Sequence, residues 1–272
     1  MHIDQEAYRG LHDAILEANL KADARVLTAF VERNPQEVDW LSSFRSSDGP
    51  AVPATIEARW RLYALSRVLD YIIWSFQPGD EPPAAADGLS LDDYTAFATA
   101  LGLTVLEPRH FSAFDCEIVR AENSLDTDAP IALTGIHWPC LMLGDLLLLR
   151  AGVSIRGGSR FFDASVARSS TMYWTYRRKN RPSDDLSAGW GGNSQWRTAF
   201  RRDYRVDDAL YFNADGQTDL AAPVLAEDAD NPLTREERIE LLTNRCFLVT
   251  TKEHRDLCPY DDTLRINSVP NE

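Results

Sequence analysis

The stretch from about Ala54 to Phe76 limits what this chain can fold into more than any other. Trp60, Leu62, Tyr63, Leu65, Val68, Leu69, Ile72, Ile73, Trp74 and Phe76 spread apolar side chains over most of a helical circumference. A helix with so narrow a polar face has to be covered by other elements, so it belongs at the centre of the fold. Turn-forming residues bracket it. Ser46-Ser-Asp-Gly-Pro-Ala-Val-Pro53 lies before it, and Gln77-Pro-Gly-Asp-Glu-Pro-Pro-Ala-Ala-Ala-Asp-Gly88 lies after it.

The segments around this helix change character once. Upstream, Tyr8, Leu11, Ile15 and Leu16 recur near a 3.6-residue period, which predicts a helix over 3–21. A second helix over 22–32 has to stop before Asn34-Pro35, because the residue ahead of a proline disfavours helix. Pro35 then opens a third, short helix with Val38, Trp40 and Leu41. Downstream, Ser90 with Asp93 forms a capping box before Tyr94, Phe97, Ala98 and Leu101.

After Gly102 short apolar runs at 103–106, 114–120 and 131–138 read as strands. Gly157-Gly158 signals a two-residue hairpin. Asn213-Ala-Asp-Gly216 marks another turn, and residues 246–250 read as a closing strand. A last helix starts at Thr234, with Glu237 at the capping-box position. The expected fold is α+β: a helical N-terminal unit followed by a mainly antiparallel sheet with one or two packed helices. The matching division is a helical unit at 1–77, a linker at 78–89 and an α+β domain at 90–272, with the first unit either separate or integrated into the last.

Composition narrows the class. At 272 residues and 44% apolar, the chain can bury a core without staples. The most apolar run, 141–149, is too short for a membrane span and contains Gly144 and Asp145. The first residues carry no signal-peptide pattern, and the four cysteines have no CxxC spacing, so a cytoplasmic protein with reduced thiols is expected.

Charge is distributed unevenly along the chain. Residues 150–205 hold 12 cationic side chains against four acids, whereas the remainder holds 16 cations against 38 acids. This belt is also rich in aromatics. Thr171 to Arg178 reads as a strand, and Trp196 to Tyr204 reads either as a second strand or as a helix with one aromatic and one arginine stripe. Threonine and the aromatics favour the strand, with 171–178 as its antiparallel partner and 179–194 as the loop between them.

Such a sheet would gather Arg177, Arg178, Trp196, Arg197, Arg201 and Tyr204, with Asn193 and Gln195 as amide donors from the loop. Guanidinium forks beside aromatic rings suit phosphates, carboxylates and bases. The same pattern also fits a sheet whose arginines pair with its own acids.

Other motifs carry less. His137-Trp-Pro-Cys140 suggests a thiol-imidazole pair, but both residues lie in an apolar stretch where cysteine fills the core. Cys246, His254 and Cys258 lack a fourth ligand and the close spacing of a zinc site. No Walker A, dinucleotide-binding, HExxH, GxSxG or EF-hand pattern occurs in the sequence. No metal and no cofactor are expected.

Two functional expectations follow. One is a non-catalytic binding protein of the bacterial immunity or antitoxin type, whose acidic loops at 80–93 and 203–230 attract a basic protein partner such as a secreted nuclease toxin. The other is an enzyme or ligand-binding protein that holds a phosphorylated or carboxylated, nucleotide-like small molecule on the belt, with Asp203, His137 or Tyr204 moving protons. The formal net charge of −14 disfavours duplex DNA as a partner.

Overall fold

The computed structural model describes residues 5–18, 24–47, 49–79, 88–184, 196–223, 231–250, 252–257 and 261–267. The N-terminal part is helical: α1 (Gln5–Glu17), α2 (Ala24–Arg33), α3 (Pro35–Ser47), α4 (Ile56–Ile72) and α5 (Leu91–Ala100). α3 opens on Pro35, whose missing N–H costs nothing in a first turn. Thr55 caps α4 by accepting the Ala58 amide, and a 3-10 turn, Ile73–Phe76, extends it. Ser90 and Asp93 form the reciprocal capping box of α5.

The rest of the chain supplies β1 (Thr104–Leu106), β2 (Cys116–Asn123), β3 (Ala132–Trp138), β4 (Cys140–Leu143), β5 (Leu146–Leu149) and β6 (Ala151–Gly157). After α6 (Ala164–Ser169) come β7 (Met172–Tyr173), β8 (Ser183–Asp184), β9 (Asp203–Val206), β10 (Ala209–Phe212) and β11 (Thr218–Asp219). Finally α7 (Arg235–Asn244), with its Thr234–Glu237 capping box, precedes β12 (Asp262–Asn267). The main sheet has seven strands in the order β1-β4-β5-β9-β10-β12-β11, antiparallel except for β11 beside β12. A second sheet, β2-β6-β3, pairs β6 in parallel with β2 and antiparallel with β3. This is an α+β fold, helical first and then mostly antiparallel.

Layering explains the apolar run at 141–149. It folds into the β4–β5 hairpin inside the main sheet, between β1 and β9, with every residue of both strands buried. Leu141, Leu143, Leu146 and Leu148 pack with Tyr8, Leu27, Phe30, Leu65, Leu69 and Phe97 of the helical layer. Cys140, Met142 and Leu147 pack on the opposite face with Ile118, Val153, Ile155, Phe162 and Leu242. A strand covered on both faces needs apolar residues at consecutive positions, not alternate ones. α4 is correspondingly enclosed, and every residue from Leu62 to Ile72 is buried. Among the described residues no helix is long and apolar enough to cross a membrane.

Four expected strand features are corrected. Gly157-Gly158 is not a hairpin. A Cβ on Gly158 would lie 2.0 Å from the Thr127 carbonyl oxygen, so this glycine permits close backbone approach, and the chain runs on into α6, capped by Asp163. Thr171 to Arg178 is a strand only at Met172–Tyr173, which pairs in parallel with β8, because Trp174 and Arg177 adopt left-handed φ of 58° and 61°.

The proposed partner strand is neither strand nor helix from Trp196 through Arg202. The Phe200 amide bonds the Arg59 carbonyl of α4 at 3.2 Å, and strand begins only at Asp203, which pairs with β5 and β10. Residues 246–250 form no strand either. The Glu240 carboxylate takes the amides of Leu248, Val249 and Thr250, and Ser170 Oγ takes that of Phe247, which leaves these donors unable to join a ladder. β12 is the closing strand instead. The expected turn at Asn213–Gly216 is present, closed by a 2.8 Å bond from the Gly216 amide to the Asn213 carbonyl.

Candidate functional site: a cationic and aromatic strip along the central helix

α4 acts as a rail for the basic belt. Asp70 accepts the Tyr176 amide at 2.9 Å, and Gln77 accepts the Lys179 amide at 2.8 Å while donating to the Arg177 carbonyl at 3.2 Å. Near the other end of the helix, Arg59 holds Phe200 through its carbonyl and through its Nε, at 3.2 and 3.4 Å. Residues 176–179 are thereby held along the later part of α4 and the turn after it, and Phe200 is held near the start of α4.

Strapped in this way, the belt divides. Arg178 turns inward, where its guanidinium donates to Glu117 at 2.6 and 3.0 Å and to Asp70 at 2.8 Å. Burial opposes its charge, but the two carboxylates outweigh burial and hold the guanidinium above its usual range. Burial, with Glu117 nearby, pushes the Asp70 carboxyl up to about 6 despite Arg178 and the Tyr176 amide.

Arg201 is also internal. It donates to Asp203 at 2.9 Å, and Arg245 and Arg150 approach the other oxygen of that carboxylate at 3.3 and 3.5 Å. Burial alone would raise Asp203. The three guanidiniums and the Asn213 amide reverse this and hold it below the ordinary carboxylate range. Burial, aided by Arg245 and Arg201, draws Arg150 down to about 9. Arg202 is fully buried between Asp215 and the Tyr204 hydroxyl, and Arg181 donates to Cys246 Sγ at 2.8 Å.

Three exposed or half-exposed cations of the belt, Arg177, Lys179 and Arg197, lie beside rings along α4, whereas Arg156, Arg160 and Arg168 are exposed elsewhere. Arg177 lies 5.1 Å from the Tyr176 ring centroid and 5.8 Å from that of Tyr71. Lys179 lies 5.2 Å from Trp74, and Arg197 lies 5.6 Å from Trp60. Among the described residues no carboxylate comes within ion-pair distance of any of these three. Trp60, Arg67 and Tyr71 occupy about 40° of the α4 circumference at 100° per residue, and Trp74 follows in the 3-10 turn. The strip spans about 21 Å at the helical rise of 1.5 Å.

Between its ends sits a closed stack. The buried Arg67 guanidinium lies between Tyr176 and Trp196, 4.1 and 5.0 Å from their centroids. His12 of α1 packs against Tyr71 at 4.8 Å and edge-on to Trp196 at 5.3 Å. Its Nδ1 is 3.4 Å from Asp13, whose carboxylate oxygen can only accept, so Nε2 is left as a buried acceptor without a hydrogen-bond partner. Burial lowers the His12 pKa below its ordinary value, and the Arg67 and Arg177 charges press the same way against Asp13. The imidazole is therefore neutral at pH 7.

The expected site residues thus fall into separate groups. Arg177, Trp196 and Arg197 come together on the strip. Arg178, Arg201 and Tyr204 lie inside the protein, and Asn193 and Gln195 fall outside the described residues. Trp60, Arg67, Tyr71, Trp74 and His12 were missed, although Arg67 stands out as a cation in an otherwise apolar helix stripe.

The remaining candidates occupy other places. His137 Nε2 bonds Ser154 Oγ at 2.9 Å, while Cys140 is fully buried and its thiol is pushed up by burial. His254 bonds Glu237, Cys246 is buried, and Cys258 lies outside the described residues. Among the described residues no cluster of three His, Cys, Asp or Glu could hold a metal. No family model matches the chain, and no curated protein or solved structure is significantly similar to it.

Proposed function

We propose that this is a binding protein for an anionic, phosphorylated or carboxylated ligand, held on the strip formed by Arg177, Lys179, Arg197, Trp196 and the rings of α4. The observation that carries this reading is the contrast within one belt. Five of its cations are buried, mostly against carboxylates or backbone carbonyls, whereas these three lie outward on aromatic rings without a carboxylate partner among the described residues. A guanidinium stacked on a ring keeps its N–H fork free for an oxyanion, and stacking fixes its plane. Thermal-shift screening against nucleotides, sugar phosphates and dicarboxylates tests the reading. At least one anion class is expected to stabilise the protein, and R177A and R197A are expected to fold normally and lose most of that shift. Absence of stabilisation by every anion would sink the proposal.

A second reading, capture of a basic protein partner of the toxin type, draws support from the same division. Pairing of Arg178, Arg201, Arg202 and Arg205 with Asp70, Glu117, Asp203, Asp215 and Asp115 hides much of the belt's positive charge from solvent. The outer surface then stays close to the acidic average of the chain, with Asp126, Asp128, Asp207 and Asp208 exposed. Co-expression with a basic protein encoded by a neighbouring gene tests it. Co-purification that salt reverses is expected, and a chain that ignores such a neighbour contradicts it.

A further inference from the structure

We infer that the ligand of the strip is a single-stranded nucleic acid, RNA or DNA, rather than an isolated small anion. The inference rests on the anion-binding reading above and adds geometry to it. A mononucleotide site converges several donors on one phosphate. Here the cations are spread out: Arg197 sits at Trp60 and Lys179 at Trp74, separated by about 21 Å of helix, with Arg177 between them. No single phosphate reaches both ends, whereas a chain of phosphates does.

The surfaces between the charges suit bases. Trp60 and Trp74, near the two ends of the strip, are each half-buried, while Tyr176 and Trp196 close on Arg67 between them. The outward guanidiniums of Arg177 and Arg197 are themselves flat platforms on which a base can stack. Spaced cations alternating with stacking planes form the pattern that binds single strands with little sequence preference. A duplex keeps its bases stacked on each other and gains nothing from these rings, and its charge density meets the field of a −14 protein.

The test is fluorescence anisotropy of the full chain with labelled single strands of about 12 nucleotides, RNA and DNA in parallel, at several salt concentrations. Competitors are a mononucleotide, the matching duplex and inorganic polyphosphate. A single strand is expected to bind at least tenfold tighter than each competitor. The slope of log K against log salt is expected near −2, about −0.7 for each of three phosphate contacts. R177A/K179A/R197A should lose that slope. If the triple variant fails to fold, each single variant should lower the slope by about 0.7. A mononucleotide, duplex or polyphosphate that binds as well as the strand overturns the nucleic-acid inference and leaves the anion reading standing. Failure of every anion to bind overturns both.

Discussion

At the scale of single residues, what lies behind a belt arginine decides whether it is paired inside the fold or left facing outward. Arg178 bridges Asp70 of α4 and Glu117 of β2, which are otherwise two buried acids facing each other. Removing its charge leaves both uncompensated, so R178M is expected to cost about 3–5 kcal/mol in denaturant unfolding, and D70N/E117Q/R178M to recover part of it. Arg197 has no such burden, and R197A should stay within about 0.5 kcal/mol of wild type.

His12 gives a pH-dependent prediction. Its folded pKa lies below the ordinary value of about 6.5, so its contribution to stability is fully present above that pH and is lost as pH falls through 6.5 toward the folded value. Asp70, with a pKa pushed up to about 6, acts in the opposite direction over part of this range, so the informative quantity is a difference. H12Q should lose less stability than wild type between pH 7 and pH 5, measured as the change in Tm. Equal losses in the two proteins would remove His12 from the account. Charge alone made the belt legible in the sequence, but it did not say which arginines turn inward. That depends on carboxylates 108 and 61 residues away from Arg178, which no local pattern reports.

Elements whose signals are local were legible. The capping boxes at Ser90–Asp93 and Thr234–Glu237, the proline start of α3 and the all-round apolar α4 all use bonds or contacts within a few residues. Pairing was harder to read because it is settled at a distance. β9 joins β5, and the stretch before it gives its backbone bond to a helix carbonyl. Residues 246–250 have the composition of a strand but spend their amides on Glu240. Glu240 therefore acts as a clasp between α7 and this loop. E240A is expected to leave the helix formed while hydrogen exchange of the Leu248, Val249 and Thr250 amides speeds up about tenfold or more, in line with losing about 1–3 kcal/mol of local bonding. Unchanged exchange at these amides would mean that the loop is held by its apolar contacts alone.

At the scale of the whole molecule, the helical layer and the main sheet share one core. Tyr8, Phe30, Leu65 and Phe97 meet Leu141, Leu146, Phe200 and Tyr204 in a single cluster. Ion pairs and amide bonds from Asp70 and Gln77 tie the belt to α4 over the same interface. The two parts are therefore expected to unfold together, with coincident far-ultraviolet dichroism and tryptophan-fluorescence transitions in urea. Two separated transitions would show that the helices fold as their own unit.

The belt is proposed to have an inner set of arginines that holds the fold and an outer set that meets a ligand. The most direct test is the triple variant R177A/K179A/R197A, measured both for unfolding in urea and for binding of the labelled single strand. Stability within about 1 kcal/mol of wild type and binding weakened tenfold or more are expected. A variant that binds as well as wild type, or one that loses several kcal/mol of stability, would contradict the proposal.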